Sequence, residues 1–118
     1  MNIELLKSEL EITLLTLATY NKEGQIISGL LSENLTLGTK RAIQKIHKKV
    51  YEAYKEFLED AGEIKKLAET DKEAAASELQ ELLKEKVKID AQPFLISKIE
   101  DISTTANYNF EIIEKIAQ

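Results

Sequence analysis

Apolar residues recur along most of this chain at steps of three and four, the spacing that gathers side chains on one face of an α-helix. Near the start, Ile3, Leu6, Leu10, Leu14 and Leu17 fall on such a stripe, with Glu4, Lys7 and Glu11 off it. This predicts a helix over about residues 3–19. Thr13, Thr16 and Thr19 are poor helix formers, so residues 12–17 also read as a buried strand, although the length of the stripe favours the helix. Asn21-Lys22-Glu23-Gly24 is a turn, and residues 25–31 make a short apolar element.

Ser32-Glu33-Asn34 breaks the pattern, and after Gly38-Thr39 a long amphipathic run begins. Ile43, Ile46, Val50, Ala53, Phe57, Ile64 and Leu67 alternate three- and four-residue steps in a heptad-like seam. Asp60 takes the one missing seam position and Gly62 follows closely. The helix therefore bends there, shifts its buried face to Ala61, or ends. The seam suits either an intramolecular helical hairpin or a partner helix.

Thr70-Asp71-Lys72-Glu73 reads as a capping box, with the Thr70 hydroxyl accepting from the Glu73 amide and the Glu73 carboxylate reaching back. The helix it opens carries Leu79, Leu82 and Leu83, with acid early and Lys84 late, as the helix dipole favours. Residues 85–90 then alternate, Val87 and Ile89 against Lys86 and Lys88, which is the period of a half-buried strand. Pro93 ends that run, and Phe94-Leu95-Ile96 offers a returning partner strand. Ser103-Thr104-Thr105 supplies N-cap hydroxyls to a last helix with Phe110, Ile113 and Ile116 on its stripe. The fold expected is mainly α, a helical hairpin or bundle in one domain over residues 1–118. It comprises an N-terminal helix and short element (1–34), a long central helix (38–68), a second helix (71–85), a strand or hairpin (86–96) and a C-terminal helix (104–116).

Composition narrows the function more than the fold. The chain has 118 residues, 43% hydrophobic and 31% charged, so it can bury a modest core while carrying long solvated helix faces. Its net charge of -5 opposes general affinity for polyanions. It contains no cysteine, which removes thiolate metal sites and cysteine nucleophiles. No apolar run approaches the ~20 residues of a bilayer span, and no signal-like segment opens the chain, so the expectation is a protein neither secreted nor membrane-embedded.

Candidate chemistry is sparse. His47, the single histidine, sits beside Ile43, Ile46 and Val50 and reads as a histidine at the edge of the packed stripe rather than a ligand. Glu56, Glu59, Asp60 and Glu63 cluster on the long helix, and their natural reading is a solvated face. With four glycines there is little from which to build a phosphate loop or nucleophile elbow. The expectation is a non-enzyme with no catalytic residue, cofactor or metal. The one basic concentration is Lys40, Arg41, Lys45, Lys48 and Lys49 at the start of the long helix, where positive charge opposes the dipole. Those cations, with Ile43, Ile46, Val50 and Phe57 of the seam, are the candidate partner-binding residues.

The stretch over about residues 35–117 resembles a family of small tailed-bacteriophage proteins of unknown function. The resemblance is carried by the Leu-rich lead-in Leu35-Thr36-Leu37-Gly38-Thr39 and the Lys-rich helix after it. It continues through the acidic helix ending Glu78-Leu79-Gln80-Glu81-Leu82-Leu83, the strand Glu85-Lys86-Val87-Lys88-Ile89-Asp90, and a final helix closing on Ile112-Ile113-Glu114-Lys115-Ile116. It transfers no functional residue. What it implies is context: a virus-encoded accessory or virion protein in the cytoplasm of a bacterial host, acting through protein partners or as a homo-oligomer. A phage inhibitor of a host defence or replication enzyme is the alternative. A small nucleic-acid module using Lys40 through Lys49 is a further one, with nucleic acid disfavoured by the net charge.

Overall fold

The N-terminal apolar stripe is divided between a strand and a helix. The computed structural model describes residues 3–100, 102 and 107–118. β1 (Ile3–Leu6) pairs antiparallel with β4 (Lys86–Ile89), setting Ile3 opposite Ile89 and Leu5 opposite Val87. Ile3 and Leu5 are buried while Glu4 faces solvent, so a period of two prevails over the expected helix at residues 3–6. A 3-10 turn (Lys7–Glu9) follows, in which the Glu9 carboxylate accepts from the Leu6 amide at 2.8 Å. Burial pushes the Glu9 carboxyl up, but hydrogen bonds from the Lys115 ammonium and the Leu6 amide outweigh it and leave it below its ordinary value. That contact with Lys115 also ties the two ends of the chain together.

α1 (Leu10–Leu17) is helical where a strand was the alternative reading. Its buried threonines are accommodated because Thr13 Oγ1 donates to the Glu9 carbonyl at 2.7 Å and Thr16 Oγ1 to the Ile12 carbonyl at 2.8 Å. The predicted turn closes a hairpin between β2 (Thr19–Tyr20) and β3 (Ile26–Ser28), with Asn21 Oδ1 accepting from the amides of Glu23 and Gln25 and Gly24 at φ +79°. The apolar element at residues 25–31 is thus β3 followed by a 3-10 turn (Leu30–Ser32) that buries Leu30 and Leu31.

α2 (Leu37–Leu67) runs unbroken through Asp60 and Gly62, spanning about 46 Å at 1.5 Å per residue. No bend is needed because the missing seam position is exposed there, and Asp60 lies 3.9 Å from Lys7 across open surface. α3 (Lys72–Lys84) folds back along the second half of α2. Its N-cap is Asp71, which accepts from the Ala74 amide at 3.1 Å, whereas Thr70 donates its hydroxyl to the Leu67 carbonyl. The carboxylate one residue on takes the cap because Thr70 is already spent on the end of α2.

β4 finds its partner in β1 rather than in residues 94–96 as expected. Phe94 instead bridges Ala117 in parallel, its amide donating to the Ile116 carbonyl and its carbonyl accepting from the Gln118 amide. A 3-10 turn (Ile96–Lys98) follows. α4 (Phe110–Ile116) is capped by Asn109, which accepts from the Ile112 amide at 3.2 Å. The caps expected at Ser103, Thr104 and Thr105 lie outside the described residues. Phe110 does not belong to the buried stripe: it is 71% exposed, and Ile112, Ile113 and Ile116 form the packed face.

One cluster of buried side chains joins these elements, with Leu10, Leu17, Leu30, Ile43, Ile46, Ile89, Ile113 and Ile116 at its centre. The architecture is mainly helical around a long central helix, as the hydrophobic pattern predicts. The apolar side chains of α2 fully enclosed in that core, Ile43, Ile46 and Val50, all lie in the first half of the helix. Beyond Val50 its seam residues Ala53, Phe57, Ile64 and Leu67 are half-buried.

Candidate interaction surface

The predicted partner-binding residues separate into three environments. Ile43, Ile46 and Val50 are each 0% exposed and belong to the chain's own core, covered chiefly by α1 and β4, so they are not a docking surface as expected. Phe57 is half-buried against Tyr54, the rings 6.2 Å apart. The cations stay at the surface. Arg41, Lys45, Lys48 and Lys49 share an open hollow with the loop at Asp90, Ala91, Gln92 and Pro93, while Lys40 lies outside that group. Asp90 and Glu52, the latter 3.8 Å from Lys49, temper its positive field.

An aromatic group forms beside them that the linear sequence does not display. The β2–β3 hairpin brings Tyr20 edge-on to His47, with ring centres 5.8 Å apart, and Tyr51 lies nearly parallel to His47 one helical turn on. Lys55 places its ammonium 5.3 Å from the Tyr51 ring centre. The four-residue spacing of His47, Tyr51 and Lys55 was legible, but Tyr20 joins them only through the hairpin.

Burial in this setting lowers the His47 pKa from its ordinary 6.5. The unfolded chain therefore binds this proton at a higher pH than the folded one. The stability tied to neutral His47 is fully present above about pH 6.5 and is lost as pH falls through the lower folded value. In urea unfolding followed against pH, the His47→Gln protein is expected to lose stability less steeply than the parent below pH 6.5. Parallel curves would show that the imidazole is as well solvated folded as unfolded.

The large apolar residues that α2 leaves exposed all fall on one stripe: Leu37 at 66%, Tyr51 at 48% and Leu58 at 49%. They are separated by fourteen and seven residues, with Gln44 at the heptad step between Leu37 and Tyr51. Heptad steps return to the same helix face with a drift of only about 20°. Along the flank of this stripe runs an exposed charged row, Arg41, Lys45 and Lys48, then Glu52, Glu56, Glu59 and Glu63. The signs are segregated. Residues 37–51 carry five cations and no carboxylate, whereas residues 52–63 carry five carboxylates and one lysine.

Nothing in this surface converges on a reacting centre. Glu56, Glu59, Asp60 and Glu63 are all exposed, and among the described residues no group of three or more His, Asp or Glu side chains is placed to hold a metal ion. An apolar hollow between Leu30, Ile99, Phe110 and Ile113 also includes Glu100 and Tyr108. No described helix is long and apolar enough to cross a membrane. In comparisons with known proteins, no family model matches the chain, and no curated protein or solved structure does.

Proposed function

We propose that this protein is a non-enzymatic binding module that engages a protein surface through the uncovered stripe of α2. Its role would be that of an accessory or structural component, encoded by a bacteriophage and acting in virion structure or assembly within a bacterial host. The observation that carries the reading is the row Leu37, Tyr51 and Leu58, exposed on a helix whose first half buries a different face, that of Ile43, Ile46 and Val50, in the core. Aligned apolar side chains left in water on a rigid element are what a helix-reading interface requires. The phage context rests on the resemblance in residue classes and element order.

Replacing both Tyr51 and Leu58 by Glu is expected to leave thermal unfolding within a few degrees of the parent while abolishing association, followed by sedimentation of the pure protein and by size fractionation of the producing cell's lysate. Association undiminished in that variant would refute the α2 stripe as the binding face.

A second reading, nucleic-acid binding, is favoured by the four cations that share one hollow. It requires measurable binding of DNA or RNA at low salt that weakens steeply as salt rises. The hollow's own Asp90 and the adjacent acidic half of α2 favour the protein-binding reading.

A further inference from the structure

We propose that the occupant of the α2 stripe is a second copy of this chain, laid antiparallel across it. The inference rests on the reading of that stripe as a binding face and adds the identity and direction of the partner.

The order of charges along α2 points to that partner and its direction. Counting from Glu52, cations stand four, seven and eleven residues before it at Lys48, Lys45 and Arg41. Carboxylates stand four, seven and eleven residues after it at Glu56, Glu59 and Glu63. A helix with that arrangement is its own complement when turned end for end about Glu52. Lys48 then meets the partner's Glu56, Lys45 the partner's Glu59, and Arg41 the partner's Glu63, each pair occurring twice by symmetry. A parallel copy would set cation against cation and acid against acid along the whole row.

Glu52 falls beside the two-fold axis and is already ion-paired with its own Lys49 at 3.8 Å. Tyr51 lies next to the axis as well, so the two tyrosines meet at the centre with Leu58 flanking them on either side. The apolar groups supply the contact energy, and the charged row fixes direction and excludes other registers.

The same order is unfavourable at the start of a helix alone, since Lys40 and Arg41 oppose the dipole there, whereas Lys65 and Lys66 in the last turn suit it. An antiparallel partner offsets this, because each basic half lies against an acidic half. Within the chain, Lys49 to Glu52 is the ion pair formed between the two halves of α2 among the described residues, while Lys7 lies 3.9 Å from Asp60 and Asp90 shares the hollow of the cations.

Sedimentation velocity of the full chain at low salt tests the proposal. The parent protein is expected to be a dimer. Lys45→Glu and Glu59→Lys are both exposed changes, and each should leave the circular dichroism unchanged while weakening dimerisation about tenfold or more, since each turns two attractive pairs into repulsive ones. Mixing the two variants should restore the dimer, because opposite charges then face each other at both sites. A monomeric parent, or a mixture no tighter than either variant alone, overturns the antiparallel copy. A parent that is monomeric when pure, yet loses association in the lysate on replacement of Tyr51 and Leu58, overturns the second copy while the binding face stands. Failure of both measurements removes the binding face with it.

Discussion

Truncating Ile46 to alanine is expected to cost about 2–5 kcal/mol of unfolding free energy, the range for deleting a fully enclosed branched side chain. Ile46 is 0% exposed and stands between Ile43 and Val50 on the face of α2 that packs into the common core. Its removal leaves a cavity at the centre of the molecule, where the main elements meet and none can relax inward without disturbing another. Leu58→Ala, on the same helix but 49% exposed, is expected to change stability by less than about 1 kcal/mol. Urea unfolding of the two variants side by side measures the difference. Equal losses would mean that the two faces of α2 do not differ in burial.

Gly29→Ala is expected to destabilise by on the order of 3 kcal/mol or more, through backbone rather than side-chain packing. Gly29 has φ +97° and ψ 177°, a conformation essentially confined to glycine. A Cβ there would sit 2.7 Å from the Cα and N of Ala18 and from the carbonyl carbon of Leu17. These are backbone atoms at the end of α1, with no flexible side chain to swing aside. Relief therefore requires pulling the hairpin away from α1 and with it Leu30 from the core. Gly24→Ala provides the control. Gly24 also has a positive φ, +79°, but nothing lies within 4 Å of its Cβ position, so its cost is limited to the conformational penalty of about 1 kcal/mol. A Gly29→Ala loss no larger than that of Gly24→Ala, in urea denaturation, would contradict the close approach.

The helical part of the fold was largely legible because it is written in local spacing. The amphipathic run fixes α2, the acid-to-base gradient fixes α3, and the alternation at Val87 and Ile89 fixes β4. What escaped depends on long-range pairing. β1 is recognisable only by Leu5, which a helical stripe leaves unexplained, and its partner lies more than eighty residues away, Ile3 opposite Ile89. Once β1 satisfies β4, residues 94–96 are released to bridge the C-terminal residues instead.

The candidate surface was half legible for a similar reason. A seam of Ile43, Ile46 and Val50 announces that it will be covered without saying by what, and here the chain itself covers it. The weaker seven-residue row of Leu37, Tyr51 and Leu58 runs beside that seam and is obscured by it in sequence. It stands out once the seam is assigned to the core. The basic concentration was visible, but the pairing of its signs with the acidic half of the helix gains meaning only because α2 is continuous through Asp60 and Gly62.

α2 presents one face to its own core and, on the proposed function, another to a partner. A photo-crosslinking amino acid placed at position 51 or 58, with position 73 or 81 on the exposed side of α3 as reference, tests this in the cell that makes the protein. The expected result is a discrete protein adduct from 51 and 58 and none from 73 and 81. Adducts from α3 alone, or from no position, would contradict it.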